Sequence, residues 1–348
     1  MYVSRRPDGD VSTQASHDFA VCGTLTYMTN ITFLEVDKED LKLVKERFPE
    51  AKINSEQLDE KELVDACKDS EIVSTFIYSK FTKEVIAKLP KLKLLCTRSV
   101  GFNHIDVAEC KKKGIIVTNV PDYGSHVIAE HVFALLLSKI RHIAEASKHV
   151  ESGKFDYHGF RGMALRGDTI GIVGTGKIGE RVARIAHGFG MRILAFDHTR
   201  KKELEKEQGV KYVSMDELFE QSDIITLHVP ATKDTHHMIN DIALHRMKKD
   251  VVLINTARGD LIDTTALLAA LKGGKVQYAL LDVLEHEKNF EENEELIKLP
   301  NVVTTPHIAF YVDDSMRNMY LDCFDSIDQW QDGEVPTHIV KPKTLVKG

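Results

Sequence analysis

From Ile31 onward, short apolar runs alternate with segments whose apolar residues recur at helical spacing. ITFLEV (31–36) precedes an amphipathic stretch over 38–48, EIVSTFI (71–77) one over 82–89, and LKLLCT (92–97) one over 105–113. IIVTNV (115–120) leads into a long stretch, 125–148, with Ile128, Val132, Leu135, Leu136 and Ile140 along one face, which reads as a single helix. Strands spaced by covering helices build a parallel sheet. A second series then begins: TIGIV (169–173), RILAF (192–196), SDIITLHVP (222–230), DVVLINTARG (250–259), VQYALLDV (276–283) and NVVTTPHIA (301–309), again with helical segments such as 264–271 between strands. A last helix is expected over 313–330. It follows the final strand of the second series, and packs most simply back onto the first sheet.

The pattern therefore predicts an α/β chain of two doubly wound parallel-sheet domains, one inserted in the other. Residues 28–122 and 312–348 would form the outer, substrate domain, and 123–311 the inserted Rossmann domain. The length of 348 residues suits two cores better than one. Residues 1–27 are polar, lack a signal-peptide core and read as a disordered extension, with Met28 as the expected functional start.

The junction of the first strand and helix of the second series carries TIGIVGTGKIG, with Gly174, Gly176 and Gly179. In such a turn the first glycine permits the bend, the second lets backbone approach a pyrophosphate, and the third lets helix pack on strand. The helix N-terminus offers free N–H groups to the anion. Asp197 closes the next strand at the spacing of the acid that binds an adenosine ribose, which favours NAD over a 2′-phosphorylated dinucleotide, although Arg200 and Lys201 stand close by.

Beyond the carboxyl ends of later strands lie Arg258, Glu287 and His307. Ligands of open parallel sheets bind at that edge. Arginine grips a carboxylate through two parallel hydrogen bonds, histidine exchanges a proton near neutral pH, and a neighbouring carboxylate orients the ring. Beside a nicotinamide these three make a site for reducing a 2-oxo acid. A non-catalytic sensor of NADH would not need all three, and a methyltransferase with a glycine-rich turn would need neither Arg258 nor His307.

The remaining composition narrows the class. A formal charge of −7 with interspersed signs argues against a nucleic-acid partner. Five cysteines without a CxxC pair fit reduced thiols in a cytoplasmic protein. The longest apolar run, 132–137, is far too short to span a membrane. His236 and His237 adjoin with no acid or cysteine at metal spacing, so no metal site is expected. His104 reads as a turn or capping residue, while Phe81 and Phe102 could line a pocket or belong to the core.

Seven ordered segments, TRSVGFNHID (97–106), NVPDYGSHVIAEH (119–131), GIVGTGKIG (171–179), LHVP (227–230), INTARGDLID (254–263), LLDVLEHE (280–287) and TPHIAFY (305–311), resemble the NAD-dependent D-2-hydroxyacid dehydrogenases, and within them the D-lactate dehydrogenase branch. The resemblance spans nearly the whole chain from Met28. It implies a Rossmann NAD-binding domain inserted in a flavodoxin-like substrate domain, reduction of a small 2-oxo acid with NADH to a D-2-hydroxy acid, and pyruvate as the leading substrate. Phenylpyruvate, branched 2-oxo acids, glyoxylate and hydroxypyruvate remain alternatives. It also implies Arg258 as the carboxylate-binding group, His307 as acid/base and Glu287 as its partner. Val100, Gly101, Tyr123 and Phe310 would contact substrate. Lys177 and Ile178 would contact the pyrophosphate, and Val229 and Pro230 would wall the adenosine. Thr235, Thr256 and Ala257 would be further cofactor contacts, and Asp282 would read the carboxamide. A homodimer joined through the 125–148 helix is implied as well. The N-terminal extension and the acidic run 291–295 depart from the family pattern.

Overall fold

The computed structural model describes residues 30–287 and 289–341. The expected extension and its start at Met28 lie outside the described residues. Two parallel sheets organise the rest. Strands β1 (Ile31–Phe33), β2 (Lys52–Ile53), β3 (Ile72–Thr75), β4 (Leu94–Thr97) and β5 (Ile116–Thr118) form a five-stranded sheet in the order 2-1-3-4-5, the flavodoxin-like order. Strands β6 (Thr169–Val173), β7 (Arg192–Phe196), β8 (Lys211–Tyr212), β9 (Ile224–Leu227), β10 (Val251–Asn255), β11 (Val276–Leu281) and β12 (Val302–Thr304) form a seven-stranded sheet in the order 12-11-10-9-6-7-8. Every pairing between these named strands is parallel.

β6, β9 and β10 are buried along their whole length. That burial explains their unbroken apolar runs, as helices cover both faces. On one face of the larger sheet Ile170, Ile172 and Ile254 meet Val132, Leu136, Val182 and Ala186; on the other Val173, Ile225 and Leu253 meet Leu218, Leu244 and Leu267. The chain order reverses between β6 and β9, which opens a crevice at their carboxyl ends.

The final helix, Asp313–Gln331, returns to the smaller sheet. Its Tyr320, Cys323, Phe324 and Ile327 join Phe33, Phe48, Leu94 and Cys96 in one core, and Ile339 beyond it bridges to Thr118. The 125–148 segment is two helices, Ser125–Ile140 and Ile143–Glu151, rather than one. The apolar stripe ends at Ile140, and His142 takes a left-handed conformation with φ of 54° that interrupts the turn. Phe81 is buried in the smaller domain's core and Phe102 packs against it, so both are core residues. The acidic run 291–295 lies within a helix, Phe290–Ile297. Cys67, Cys96, Cys110 and Cys323 are buried free thiols, and Cys22 lies outside the described residues.

Candidate active site

The glycine turn uses its three glycines differently. Gly174 follows β6 with φ of 95°, and a side chain there would come within 2.7 Å of the His228 carbonyl oxygen at the end of β9. A methyl on Gly179 would run into the Gly174 carbonyl. Gly176, the N-cap of helix Lys177–Gly188, has an ordinary φ of −62° and open space where a side chain would stand. Backbone crowding thus requires Gly174 and Gly179, while Gly176 keeps a cradle clear beside a helix N-terminus suited to an anion.

Asp197 sits beyond β7 and closes this turn from the side. Its Oδ2 accepts from the Thr175 N–H at 2.6 Å and the Thr175 hydroxyl at 3.0 Å, and Oδ1 accepts from the Thr199 N–H at 3.0 Å. Burial opposes its charge, but these bonds outweigh burial and hold the carboxyl below its ordinary pKa. Thr256, just past β10, has a buried hydroxyl with no hydrogen-bond partner among the described residues. An orphaned hydroxyl and an empty cradle on one crevice fit a bound dinucleotide.

Arg258, Glu287 and His307 line one cleft of about 520 Å³, together with Gly101 and His104. Gly101, from the smaller domain, lies so close to the Arg258 guanidinium that a methyl would strike Nη2, so the cleft draws on both domains. Arg258 Nη1 also donates to the Ala257 carbonyl at 2.6 Å. His307 Nδ1 lies 3.2 and 3.3 Å from Glu287 Oε1 and Oε2. That engagement leaves His307 Nε2 for a substrate.

His307 has a left-handed backbone, φ 56°, which for a non-glycine residue must be held by its surroundings. Asp282 does the holding. Its carbonyl accepts the His307 N–H at 2.9 Å, its Oδ1 accepts from Ile308 N–H at 3.0 Å and from the Thr305 hydroxyl, and its Oδ2 accepts from Ala309 N–H at 2.9 Å. With only 1% of its surface exposed, Asp282 sits beneath the loop that carries the histidine. His131, from helix Ser125–Ile140, completes the group at 3.2 Å from the Thr305 hydroxyl.

An aromatic wall faces the same histidine. Phe310 stands 6.2 Å from the His307 ring, 6.2 Å from Tyr123 and 5.5 Å from Phe76, centroid to centroid. Burial raises the Tyr123 phenol to about 12, against the pull of Arg258, so it stays neutral. Phe76 was hidden in the sequence as one more residue of an apolar strand run, but β3 ends at Thr75 and releases it toward the site. His104 is another departure. It lines the cleft rather than merely capping a turn, its Nε2 is 3.2 Å from the Thr97 hydroxyl, and burial lowers its pKa to about 4. Asn255 carries no such signal in the sequence either: its side chain donates to the Arg258 carbonyl at 2.8 Å and accepts from Ala257 N–H at 3.0 Å, setting the bend that presents the arginine.

The other expected contacts are spread along the crevice. Val100 is exposed beside Gly101. Lys177 donates to Asp122 at 3.0 Å, which links the helix N-terminus to the segment leaving the smaller sheet. Ile178, Val229 and Ala257 pack against the larger domain's core. The Thr235 hydroxyl donates to the Pro230 carbonyl at 2.7 Å and shapes the turn after β9. His236 and His237 do meet an acid: Glu285, from beyond β11, lies 2.5 Å from His237 Nε2. Linear spacing could not show that approach, because β11 and the turn after β9 become neighbours only in the folded sheet.

Residues 133–309 match the model of the D-isomer specific 2-hydroxyacid dehydrogenase NAD binding domain. A glyoxylate reductase of Thermococcus litoralis is 41% identical over 290 residues, covering 81% of this chain and 87% of that protein. The chain belongs to the D-isomer-specific 2-hydroxyacid dehydrogenases. Among solved structures, the D-lactate dehydrogenase of Aquifex aeolicus, complexed with NAD and lactic acid, superposes with a TM-score of 0.82 at 38% identity, covering 90% of this chain and all of that one. The D-lactate dehydrogenase of Escherichia coli gives a TM-score of 0.81 at 32% identity, with 90% and 100% coverage. The larger sheet is accordingly the NAD-binding domain of a hydride-transferring 2-hydroxyacid dehydrogenase. Among the described residues no helix is long and apolar enough to cross a membrane.

Proposed function

We propose that this dehydrogenase reduces a small 2-oxo acid, pyruvate first, to the D-2-hydroxy acid. The observation that carries the reading is the meeting of Arg258 with the His307–Glu287 pair in one cleft, with the His307 ring also facing Phe310 of the Phe76–Tyr123–Phe310 wall. When bound along Gly174–Gly179, the reduced dinucleotide supplies a hydride to the carbonyl carbon. Arg258 pairs with the substrate carboxylate, and the backbone at Val100 and Gly101 flanks it. His307 Nε2 donates the proton to the carbonyl oxygen, and Glu287 at Nδ1 holds the ring and balances its charge. His104 cannot replace it near neutral pH, because burial keeps that imidazole uncharged. Asp197 selects NADH by accepting from a ribose hydroxyl.

A second reading, reduction of glyoxylate, is favoured by the glyoxylate reductases among the similar proteins. The aromatic wall suits either small acid better than a bulky one. Steady-state rates with pyruvate, glyoxylate, hydroxypyruvate, phenylpyruvate and a branched 2-oxo acid are expected to be highest for one of the first two. A preference for phenylpyruvate would remove the small-substrate reading. Arg258→Lys should lower kcat/KM by roughly 30-fold, about 2 kcal/mol, through loss of the bidentate grip, with NADH affinity unchanged; an unaltered kcat/KM would remove Arg258 from the site.

We further propose a homodimer built on the arm that follows helix Ser125–Ile140. Phe155 and Tyr157 are 93% and 81% exposed there, with Ile143 and Val150 also open to solvent. Such an apolar patch marks an association surface. Light scattering should give twice the chain mass for the native protein and a smaller species for Phe155→Glu with Tyr157→Glu. A native monomer would refute the arm as an interface.

A further inference from the structure

One cluster of ligating side chains takes no part in the reaction described above. His236 and His237 stack ring on ring in the turn between β9 and helix Asp241–Arg246, with centroids 3.9 Å apart and planes at 28°. Glu285 reaches them from the turn after β11, and potential ligand atoms of the three residues all lie within 4.8 Å of one another. The arrangement is held from several sides. Glu285 is only 14% exposed at its side chain, and its Oε2 accepts from the Thr264 N–H at 3.2 Å, which turns Oε1 toward His237. His237 has φ of 49°, and its N–H donates to the Asp260 carbonyl at 2.9 Å. Gly259, next to Asp260, packs so tightly on the Leu284 carbonyl that no side chain fits. The histidine turn and the glutamate turn are therefore locked together through the segment between them.

An ordinary ion pair needs one imidazole, and this cluster stacks two. A cation beside them draws on a lone pair from each ring and on the carboxylate, whose ligand atoms lie within reach of one another. We propose that His236, His237 and Glu285 bind a divalent transition-metal ion of the zinc class at the mouth of the cleft. Two imidazoles and a carboxylate suit Zn²⁺ or Co²⁺, whereas Mg²⁺ and Ca²⁺ prefer all-oxygen sites. Three protein ligands leave one position for water. Glu285 precedes Glu287 by two residues, so the ion cross-links the turn after β9 to the turn that carries the partner of His307.

The test is calorimetric titration of the metal-stripped full chain with Zn²⁺, with the visible spectrum of added Co²⁺ as an independent report of imidazole ligation. One equivalent should bind, with the bands of four-coordinate Co²⁺. Losing an outer-shell partner of a metal ligand already costs about 10–100-fold in affinity, so His236→Ala and Glu285→Gln should each weaken binding by at least tenfold. His236 is exposed, so His236→Ala is expected to fold as the native chain does and decides the matter by itself. Glu287→Gln and His307→Asn should leave the affinity within about twofold of native on the same scale. The proposal fails if the native chain shows no saturable binding, if His236→Ala binds as tightly as native, or if only Glu287→Gln and His307→Asn weaken it.

Discussion

Gly176 and Gly179 show how one motif holds residues of opposite meaning. The native backbone at Gly176 accepts a side chain without strain, so its lack of a Cβ serves whatever occupies the cradle. Gly176→Ala should keep its melting temperature, or gain about 0.4–1 kcal/mol from a less flexible unfolded chain, while NADH affinity falls by roughly tenfold or more, about 1.4 kcal/mol. Gly179→Ala should instead lose about 1–3 kcal/mol of stability to overpacking against Gly174. Calorimetric melts and a fluorescence titration with NADH separate the two; equal stability losses would end the distinction. The motif's spacing was legible in the sequence. So was the assignment of Gly176 to the ligand and of Gly179 to helix-on-strand packing; what the fold added is the backbone carbonyl, that of Gly174, which Gly179 abuts.

At the scale of elements, the loop from Thr305 to Ala309 matters more than either structure it joins. Its left-handed histidine is fixed by Asp282 at the end of the neighbouring strand. Burial works against the Asp282 charge, yet bonds from His131, Thr305, Ala309 and Ile308 prevail and hold its pKa below 3.8. Its stabilising effect is therefore complete above pH 3.8 and fades as pH falls below that. Asp282→Asn replaces one acceptor by an NH₂ group and strands a buried N–H, at about 1–3 kcal/mol. Turnover should fall in step with the misplaced His307, and the melting temperature should drop at neutral pH. Native turnover in Asp282→Asn would show that the loop holds itself. The helix break at His142 belongs to the same scale: apolar periodicity stopped at Ile140, but polar residues alone did not say whether the helix continued.

Across the whole molecule, two part-buried histidines tie stability to pH. Burial lowers His104 to about 4 in the smaller domain and His228 to about 3 beside the glycine turn of the larger one. Both fold uncharged. The unfolded chain takes up a proton at each as pH drops below about 6.5, so stability should decline steadily from pH 6.5 toward pH 4. His104→Asn should flatten part of that slope. A melting temperature constant between pH 7 and pH 5 would contradict the neutral assignment.

Periodicity, the glycine spacing and the polar residues beyond strand ends sufficed for two parallel α/β domains, for the glycine turn between strand and helix, and for the placement of Arg258, Glu287 and His307 beyond strand ends. These features are local: each strand, turn and helix start writes its own pattern in consecutive residues. Tertiary structure alone decided that Asp282 underpins His307, that Phe76 joins the aromatic wall beside His307, that Gly101 of one domain abuts Arg258 of the other, and that Glu285 meets His236 and His237. Each of those contacts joins residues far apart in the chain, and only the order of strands within a sheet, or the approach of one sheet to the other, makes them neighbours.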